Sequence, residues 1–126
     1  MKSPAHQKWP EHKVKESRVT GKARVEVDGE IVAESDDVIR VDEDGSPLRL
    51  YFPRSAVTME KLEPSSTTSQ CPFKGTARYF TLKVKDRSLK DAVWSYEDPF
   101  DDHRSLKDRL AFYDDKYSGI HVRGPT

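Results

Sequence analysis

The sequence predicts one mainly β domain of two antiparallel sheets set at an angle, as a small sandwich or open barrel, with at most one short helix. Three observations support this fold class. The chain has 126 residues, which is enough for a single core. Short stretches of alternating apolar and polar residues, which are typical of strands, recur along it. Asp-Gly dipeptides separate two pairs of these stretches, as in tight hairpins.

The first half of the domain is predicted to form two hairpins. In 23–27, "ARVEV", alternation predicts a half-buried strand that turns through Asp-Gly at 28–29 into a return strand, "EIVAES". The stretches "VIRVDE" and "LRLYF" form the second pair, with Asp-Gly at 44–45 between them. Pro53 ends the last strand, because proline cannot donate to the hydrogen-bond ladder of a sheet.

The second half is predicted to contain a loop, two longer strands and a helical turn. Residues 63–70, "EPSSTTSQ", are rich in Ser and Thr and are predicted to be the loop. After a turn at Cys71, "TARYFTLKV" alternates as a strand, and "DRS" turns the chain into another, "LKDAVWSY". One or two helical turns are expected in 97–110, with Ser105 as a plausible N-cap. "RLAFY" is predicted to be extended again, and "GIHV" to be a last edge strand.

Composition bounds the domain organisation, the compartment and the partners. We expect a polar N-terminal arm, residues 1–17, followed by a β domain, residues 18–123. No signal peptide or stretch of about eighteen apolar residues is present, and one cysteine cannot form an internal disulfide, so we expect a cytoplasmic protein without a membrane partner. Lys and Arg balance Asp and Glu at 22 each, which argues against a nucleic-acid partner. We interpret the positively charged arm as a solvated leader that packs Trp9 onto the domain, with a nucleic-acid arm as the alternative.

Several aromatic residues stand off the obvious apolar stripes of the predicted strands. Because side chains alternate between the faces of a strand, Tyr51 and Tyr79 point away from their apolar neighbours, and Trp94 and Tyr96 share one face. Such rings combine a large contact area with a hydrogen-bonding group, as is typical of small-molecule pockets. In the alternative interpretation Trp94 and Tyr96 are core residues, and the two other tyrosines cover a sheet edge.

The only cysteine lies in "SQCPFKGTARYF", where Pro72 and Gly75 first predict a β-turn. A thiol with a pKa near 8.5 is only about 3% thiolate at neutral pH, and it needs a positioned base for catalysis. Lys74, helped by Arg78, is a candidate activator, but the histidines lie far away in the sequence. We therefore predict no catalytic residue, a thiol at Cys71 that lines a cavity, and Lys74 as a contact for a carboxylate or phosphate. An enzyme that uses Cys71 with Lys74 is one alternative, and a protein-interaction module is another.

The residue pattern predicts no metal site and no cofactor. Structural zinc requires four Cys or His ligands at paired spacings, and this chain has one cysteine and scattered histidines. The acidic pairs at 36–37, 101–102 and 114–115 lack the spacing and the glycine of a calcium loop. No phosphate-binding loop, dinucleotide motif or nucleophile elbow occurs.

Four stretches resemble a family labelled domain of unknown function 427, over about residues 12–115: "YFPRSAV" (51–57), "TSQCPFKGTARYF" (68–80), "AVWSYEDP" (92–99) and "RLAFY" (109–113). The resemblance implies a small all-β fold of two antiparallel sheets set at an angle, with the motif residues gathered between them. Carried over by motif, the ligand-binding candidates are Tyr51, Arg54, Cys71, Lys74, Tyr79, Trp94 and Tyr96.

This family has at times carried a nucleotidyltransferase label, which would imply clustered carboxylates for Mg²⁺ beside a phosphate-cradling loop. Neither is present in the sequence. The chain also has Ala56 where the family often has an acidic residue, which removes a carboxylate partner for Arg54 or Lys74. The predicted function is therefore binding of a small molecule, including an anionic one, in an aromatic-lined pocket, with Arg54 and Lys74 as candidate anchors.

Overall fold

The computed structural model describes residues 1–124. The strands are β1 Val14–Arg18, β2 Ala23–Val27, β3 Glu30–Ser35, β4 Ile39–Glu43, β5 Arg49–Tyr51, β6 Leu62–Cys71, β7 Gly75–Val84, β8 Arg87–Ser95, β9 Leu110–Phe112 and β10 Ile120–Arg123. The helices are α1 Pro4–Lys8 and the 3-10 helices Arg54–Ala56, Met59–Lys61 and Asp101–Leu106. Among residues 1–124, no helix has both the length and the apolarity that a bilayer crossing requires.

The strands of the described residues form three antiparallel sheets, with the orders β1-β4-β5, β10-β2-β3 and β6-β7-β8-β9. This confirms the mainly β, antiparallel fold class with only short helices, although two sheets were expected. The first and third sheets meet where Phe52 and Leu110 exchange two backbone hydrogen bonds of 2.9 Å. The contact remains an isolated bridge, because Pro53 follows directly and has no N–H to extend the ladder.

Both predicted Asp-Gly hairpins are present. Asp28 and Gly29, with φ of 50° and 85°, connect β2 to β3, and Gly45, with φ of 77°, lies between β4 and β5. Two consecutive residues with positive φ match the twist of antiparallel strands, which explains why this dipeptide predicts a hairpin so well. The strands predicted at 23–27, 76–84 and 109–113 are confirmed at β2, β7 and β9.

The prediction of a loop at residues 63–70 is wrong. These residues belong to β6, which pairs with β7 and has a bulge between Pro64 and Thr68. Because β6 is the edge strand of its sheet, the missing N–H of Pro64 costs no ladder hydrogen bond on the open side. Threonine is also a good strand former, so a Ser/Thr-rich stretch with a neighbouring strand to pair with becomes β structure.

Ser105 is not the N-cap of the helical turn. The 3-10 helix Asp101–Leu106 begins after Phe100, and Ser105 lies in its last turn. Its hydroxyl instead donates to the carboxylate of Glu16 on β1. The acidic residues at 101–102 occupy the first turn, where a carboxylate is favoured near free N–H groups.

Two clusters of buried side chains form the interior. The first core contains residues of β2, β3, β7, β8 and β9, such as Val25 and Leu82, together with Phe52, which follows β5. The second core consists of Ile39, Val41, Tyr51, Ala77, Trp94, Tyr96, Leu106 and Ala111. Tyr51 and Phe52 are consecutive residues that enter different cores, because successive side chains of a strand point to opposite faces. The predicted separation of aromatic residues from the apolar stripes therefore corresponds to two packed cores.

Residues at the N-terminus pack against the domain. Trp9 lies with its ring centroid 6.3 Å from that of Phe73, and His6 of α1 lies 4.9 Å from the same ring. β1 pairs with β4 along its whole length, so Val14–Arg18 is part of a sheet. The division into an arm, residues 1–17, and a domain, residues 18–123, stays a prediction about folding units.

Candidate functional site

A hollow of about 170 Å³, here called the aromatic hollow, lies at the second core. It is lined by Glu43, Ser46, Pro47, Arg49, Tyr51, Lys74, Tyr79, Trp94, Tyr96 and Tyr113. The strands β4, β5, β7 and β8 and the turn at Lys74 contribute the walls, and the β4–β5 turn contributes Ser46 and Pro47. Predicted site residues from three separate segments thus surround one cavity: Tyr51, Lys74, Tyr79, Trp94 and Tyr96.

The two remaining predicted residues lie outside the lining. Arg54 donates from Nε to the carbonyl of Asp108 and from Nη2 to the hydroxyl of Ser95, each over 3.0 Å. It therefore braces the 3-10 helix Arg54–Ala56 against the end of β8. Cys71 is half-buried and packs against the second core. Within residues 1–124 its thiol has no hydrogen bond to a side chain that could act as a base.

Ring packing holds the aromatic side chains in place. Trp94 donates from Nε1 to the hydroxyl oxygen of Tyr51 over 3.1 Å, and the two rings meet edge to face. Tyr113 lies 4.2 Å from Trp94 between ring centroids and is stacked on Tyr79 at 6.4 Å. Tyr79 in turn is hydrogen-bonded to Ser69 on β6 over 2.9 Å. These contacts leave the rings little freedom, so the shape of the hollow is largely preformed.

Two phenol groups of the hollow, those of Tyr51 and Tyr96, have no protein acceptor for their O–H among the described residues. Burial raises the pKa of both Tyr51 and Tyr96 well above the ordinary value, so both hydroxyls keep their protons at neutral pH. Among the described residues, the hydroxyl of Tyr96 has no hydrogen-bond partner, and that of Tyr51 only accepts from Trp94. The hydroxyl of Tyr96 is not a buried unsatisfied group, so it is reachable from the hollow, and an acceptor oxygen placed there can accept its hydrogen bond in place of water.

A buried ion pair forms one wall. The ammonium group of Lys74 donates to Oε1 of Glu43, and the two side chains are only 7% and 14% exposed. Oε2 of the same carboxylate faces Nε2 of His12 at 3.0 Å. Burial opposes ionisation of Glu43, but the hydrogen bonds from Lys74 and His12 outweigh it and hold the pKa of this carboxyl below its usual range. Lys74 is thus already paired with Glu43, so it is not the free contact for an anion that was expected.

Arg49 is the second cation of the hollow. Its guanidinium carbon lies 5.2 Å from the ring centroid of Trp94 and 5.1 Å from that of Tyr113, so it interacts with both ring faces. On its outer side it donates to both carboxylate oxygens of Asp115, over 3.1 and 3.2 Å. With Lys74 paired to Glu43 and Arg49 paired to Asp115, each cationic group of the hollow is matched by a carboxylate.

Glu43, Arg49 and Tyr113 line the hollow but were not predicted as site residues, although the sequence carries a signal for the first two. Glu43 continues the inward-facing series of Ile39 and Val41 along β4, and a charged residue at the end of an apolar stripe indicates a buried partner. Arg49 shares its face of β5 with Tyr51. Tyr113 has no comparable signal, because its place beside Trp94 depends on the pairing of β8 with β9.

No group of three or more His, Cys, Asp or Glu side chains in the described part of the chain is arranged to hold a metal ion. Comparison with known families gives one match. The sequence profile of a family described as "Domain of unknown function (DUF427)" matches residues 15–123, which include every residue that lines the hollow. No curated protein matches the chain.

Proposed function

The chain belongs to this family of domains of unknown function, as its motifs predicted, and from that premise we propose that the aromatic hollow binds a small molecule with an acceptor oxygen such as a carboxylate. The observation that carries the proposal is the convergence of Tyr51, Trp94 and Tyr96 around one hollow in which two phenol O–H groups have no protein acceptor. Lys74 and Arg49 are each paired with a carboxylate, and as cationic donors of the lining they can also donate to an anion.

The volume of the hollow limits the size of the ligand. At about 30 Å³ for each water molecule in the liquid, 170 Å³ corresponds to roughly six waters. Pockets that enclose drug-sized ligands are usually about 300–1,000 Å³. The proposed ligand is therefore a single planar ring with a small polar group, and a nucleoside triphosphate is too large to be enclosed.

Electrostatics favours an acceptor over a cation. A ring cage attracts cations only when its faces are open, and here Arg49 already covers Trp94 and Tyr113 while Lys74 lies 5.9 Å from the ring centroid of Tyr96. A further cation would also meet the like charges of Arg49 and Lys74 at close range. A carboxylate would accept hydrogen bonds from the phenols and from the cationic groups, and such charge-assisted bonds are strong.

The test compares three ligands of one shape: benzoate, benzyl alcohol and benzylammonium. We expect saturable shifts of the Trp94 indole N–H signal in nitrogen-15 NMR spectra with benzoate, weaker ones with the alcohol and none with the amine. A saturating ligand at 100 times its Kd should raise the free energy of unfolding by about 2.7 kcal/mol. Equal binding of benzylammonium, or no shift with any of the three ligands at millimolar concentration, would contradict the proposal.

A matched pair of variants assigns the site. Tyr96→Phe keeps the ring and removes the unpartnered O–H, so it should weaken benzoate binding about tenfold, or ~1.4 kcal/mol. Tyr117→Phe is the control, because the Tyr117 hydroxyl donates to the Lys90 carbonyl away from the hollow. The two variants should differ in affinity while both remain folded. Equal affinities would place any benzoate site elsewhere.

The cytoplasmic location and the absence of a nucleic-acid partner stay predictions from composition. We propose both on the same grounds as before, the single cysteine and the balanced charge. Fractionation of the producing cell and a filter-binding assay with mixed nucleic acid would test them separately.

A further inference from the structure

The first thirteen residues, here called the N-terminal latch, are held by contacts from two other segments. Ser3 is buried and donates from its hydroxyl to the carbonyl of Pro72 over 2.8 Å. The amide of Asp101 donates to the carbonyl of Met1, also over 2.8 Å. Phe73 packs between latch residues, with its ring stacked on that of His12 at 4.1 Å. The latch thus covers the turn that carries Lys74.

Two histidines meet at the centre of this contact. Nε2 of His6 on α1 lies 2.8 Å from Nε2 of His103, which is only 4% exposed on the 3-10 helix Asp101–Leu106. On its other side, Nδ1 of His103 donates to the carboxylate of Glu16 on β1. Two imidazole nitrogens at this distance share one hydrogen, since one must donate and the other accept. If both rings are protonated, both atoms carry hydrogens and the bond is lost.

The charged groups around the pair come from every element packed against it. Asp102 of the 3-10 helix, Glu43 of β4 and His12 of the latch face His6, besides His103 itself. Glu16 also accepts from Ser105 and lies near Lys74. Burial and the rings of His103 and His12 oppose a charged His6, whereas the carboxylates of Asp102 and Glu43 favour it.

We propose that the latch is acid-sensitive: a proton taken up by His6 places a positive charge 2.8 Å from the buried His103 ring, and this releases residues 1–13 from the turn that carries Lys74. Release removes His12 from Glu43 and uncovers Phe73, so it exposes the outer side of the Lys74–Glu43 pair. The inference goes beyond the proposed binding function and does not depend on it, because docking of the latch requires no ligand.

The direction of the pH dependence follows from the protons bound in each state. Burial, and next the neighbouring His103, lower the pKa of the docked His6 ring, whereas a released ring has the ordinary value of about 6.5. The released state therefore binds more protons in the window just below pH 6.5. Docking is therefore strongest above that pH. Its equilibrium constant falls by up to about tenfold per pH unit as the pH falls, and becomes constant again below the lowered pKa of His6.

Trp9 allows a direct test in the full chain without ligand. We would measure the heteronuclear NOE of its indole N–H between pH 7.5 and 5.0, with the buried Trp94 indole as the internal reference of an intact fold. The expected result is a fall for Trp9 alone, with the midpoint of the His6 ring titration in the same sample. The pKa of Glu16 and of Glu43 lies below the usual carboxyl range, so neither protonates in this window.

Two histidine variants separate this mechanism from general acid sensitivity. His6→Gln can still hydrogen-bond to His103 but cannot become charged, so Trp9 should stay rigid down to pH 5.0. His121→Gln, on the exposed edge strand β10, is the matched control and should behave like the unmodified chain. A Trp9 signal that stays rigid while His6 titrates would overturn the proposal, as would an unchanged transition in His6→Gln. If residues 1–13 of His6→Gln are undocked at every pH, the unmodified chain gives the test: a fall of the Trp9 signal at the His6 midpoint supports the proposal, and its absence contradicts it.

Discussion

Neutralising Glu43 should destabilise the protein far more than neutralising an exposed glutamate. The Glu43→Gln substitution keeps the shape of the side chain and removes its charge. Lys74, whose side chain is only 7% exposed, would then hold a buried charge without a carboxylate partner. Breaking a buried pair in this way usually costs about 3–5 kcal/mol, because the remaining ion is desolvated and has no partner of opposite charge.

The chain contains a matched control pair on its surface. Lys83 and Glu63 form an ion pair of 2.9 Å with side chains that are 55% and 61% exposed. Water screens such a pair and replaces a lost partner, so Glu63→Gln should cost no more than about 1 kcal/mol. The same chemical change therefore has two expected outcomes that differ only through burial.

Urea unfolding at pH 7 measures both. With an m-value near 2 kcal/mol/M, Glu43→Gln should lower the midpoint by about 1.5–2.5 M and Glu63→Gln by no more than about 0.5 M. The double variant Glu43→Gln/Lys74→Met should lose less unfolding free energy than the two single variants lose together, since it leaves no unpaired ion. A cost for Glu43→Gln as small as that of Glu63→Gln would refute the reasoning that this pair is desolvated.

Three further predictions concern pH, packing and backbone conformation. Burial opposes ionisation of Glu16 and Glu43, but hydrogen bonds outweigh it and hold the pKa of both carboxyls low. The stability that the two carboxylates confer is therefore complete above about pH 4.5 and is lost as the pH falls through the lowered pKa values. Urea midpoints measured between pH 6 and 3 should show this loss. Phe52→Ala, at a fully buried side chain that meets Phe112 edge to face, should cost about 3–5 kcal/mol by urea unfolding, whereas Leu48→Ala, at a side chain 48% exposed, should change stability by no more than about 0.5 kcal/mol. Gly75→Ala should cost about 1–3 kcal/mol in the same assay, because φ of 127° at this residue is strained for any side chain.

Local chemistry explains the parts of the fold that were predicted correctly. The hairpin at 28–29 depends on two residues that tolerate positive φ, and both are neighbours in the sequence. The strand at 23–27 follows from alternation within five residues. The prediction for 63–70 was wrong because the composition of this stretch is typical of a loop. Its strand conformation comes from pairing with β7, which the propensities of its own residues do not take into account.

The candidate site was predicted in part for the same reason. Alternation along the strands distinguished Tyr51, Trp94 and Tyr96 from the apolar stripes, and the family motif identified them as site candidates. Arg54 was included by the same motif, yet its guanidinium binds Ser95 and the carbonyl of Asp108 outside the hollow. A motif groups residues by sequence order, which does not say into which cavity each side chain points.

Alternation along each strand is a property of the backbone, so the order of residues alone settled which side chains share a face: Tyr51 opposite Phe52, and Trp94 with Tyr96. Folding in three dimensions settled which of those faces meet. It placed His6 against His103 across 97 positions of sequence and Lys74 against Glu43 across 31. Such pairings depend on strand order and on the packing of distant segments, and no local propensity encodes either.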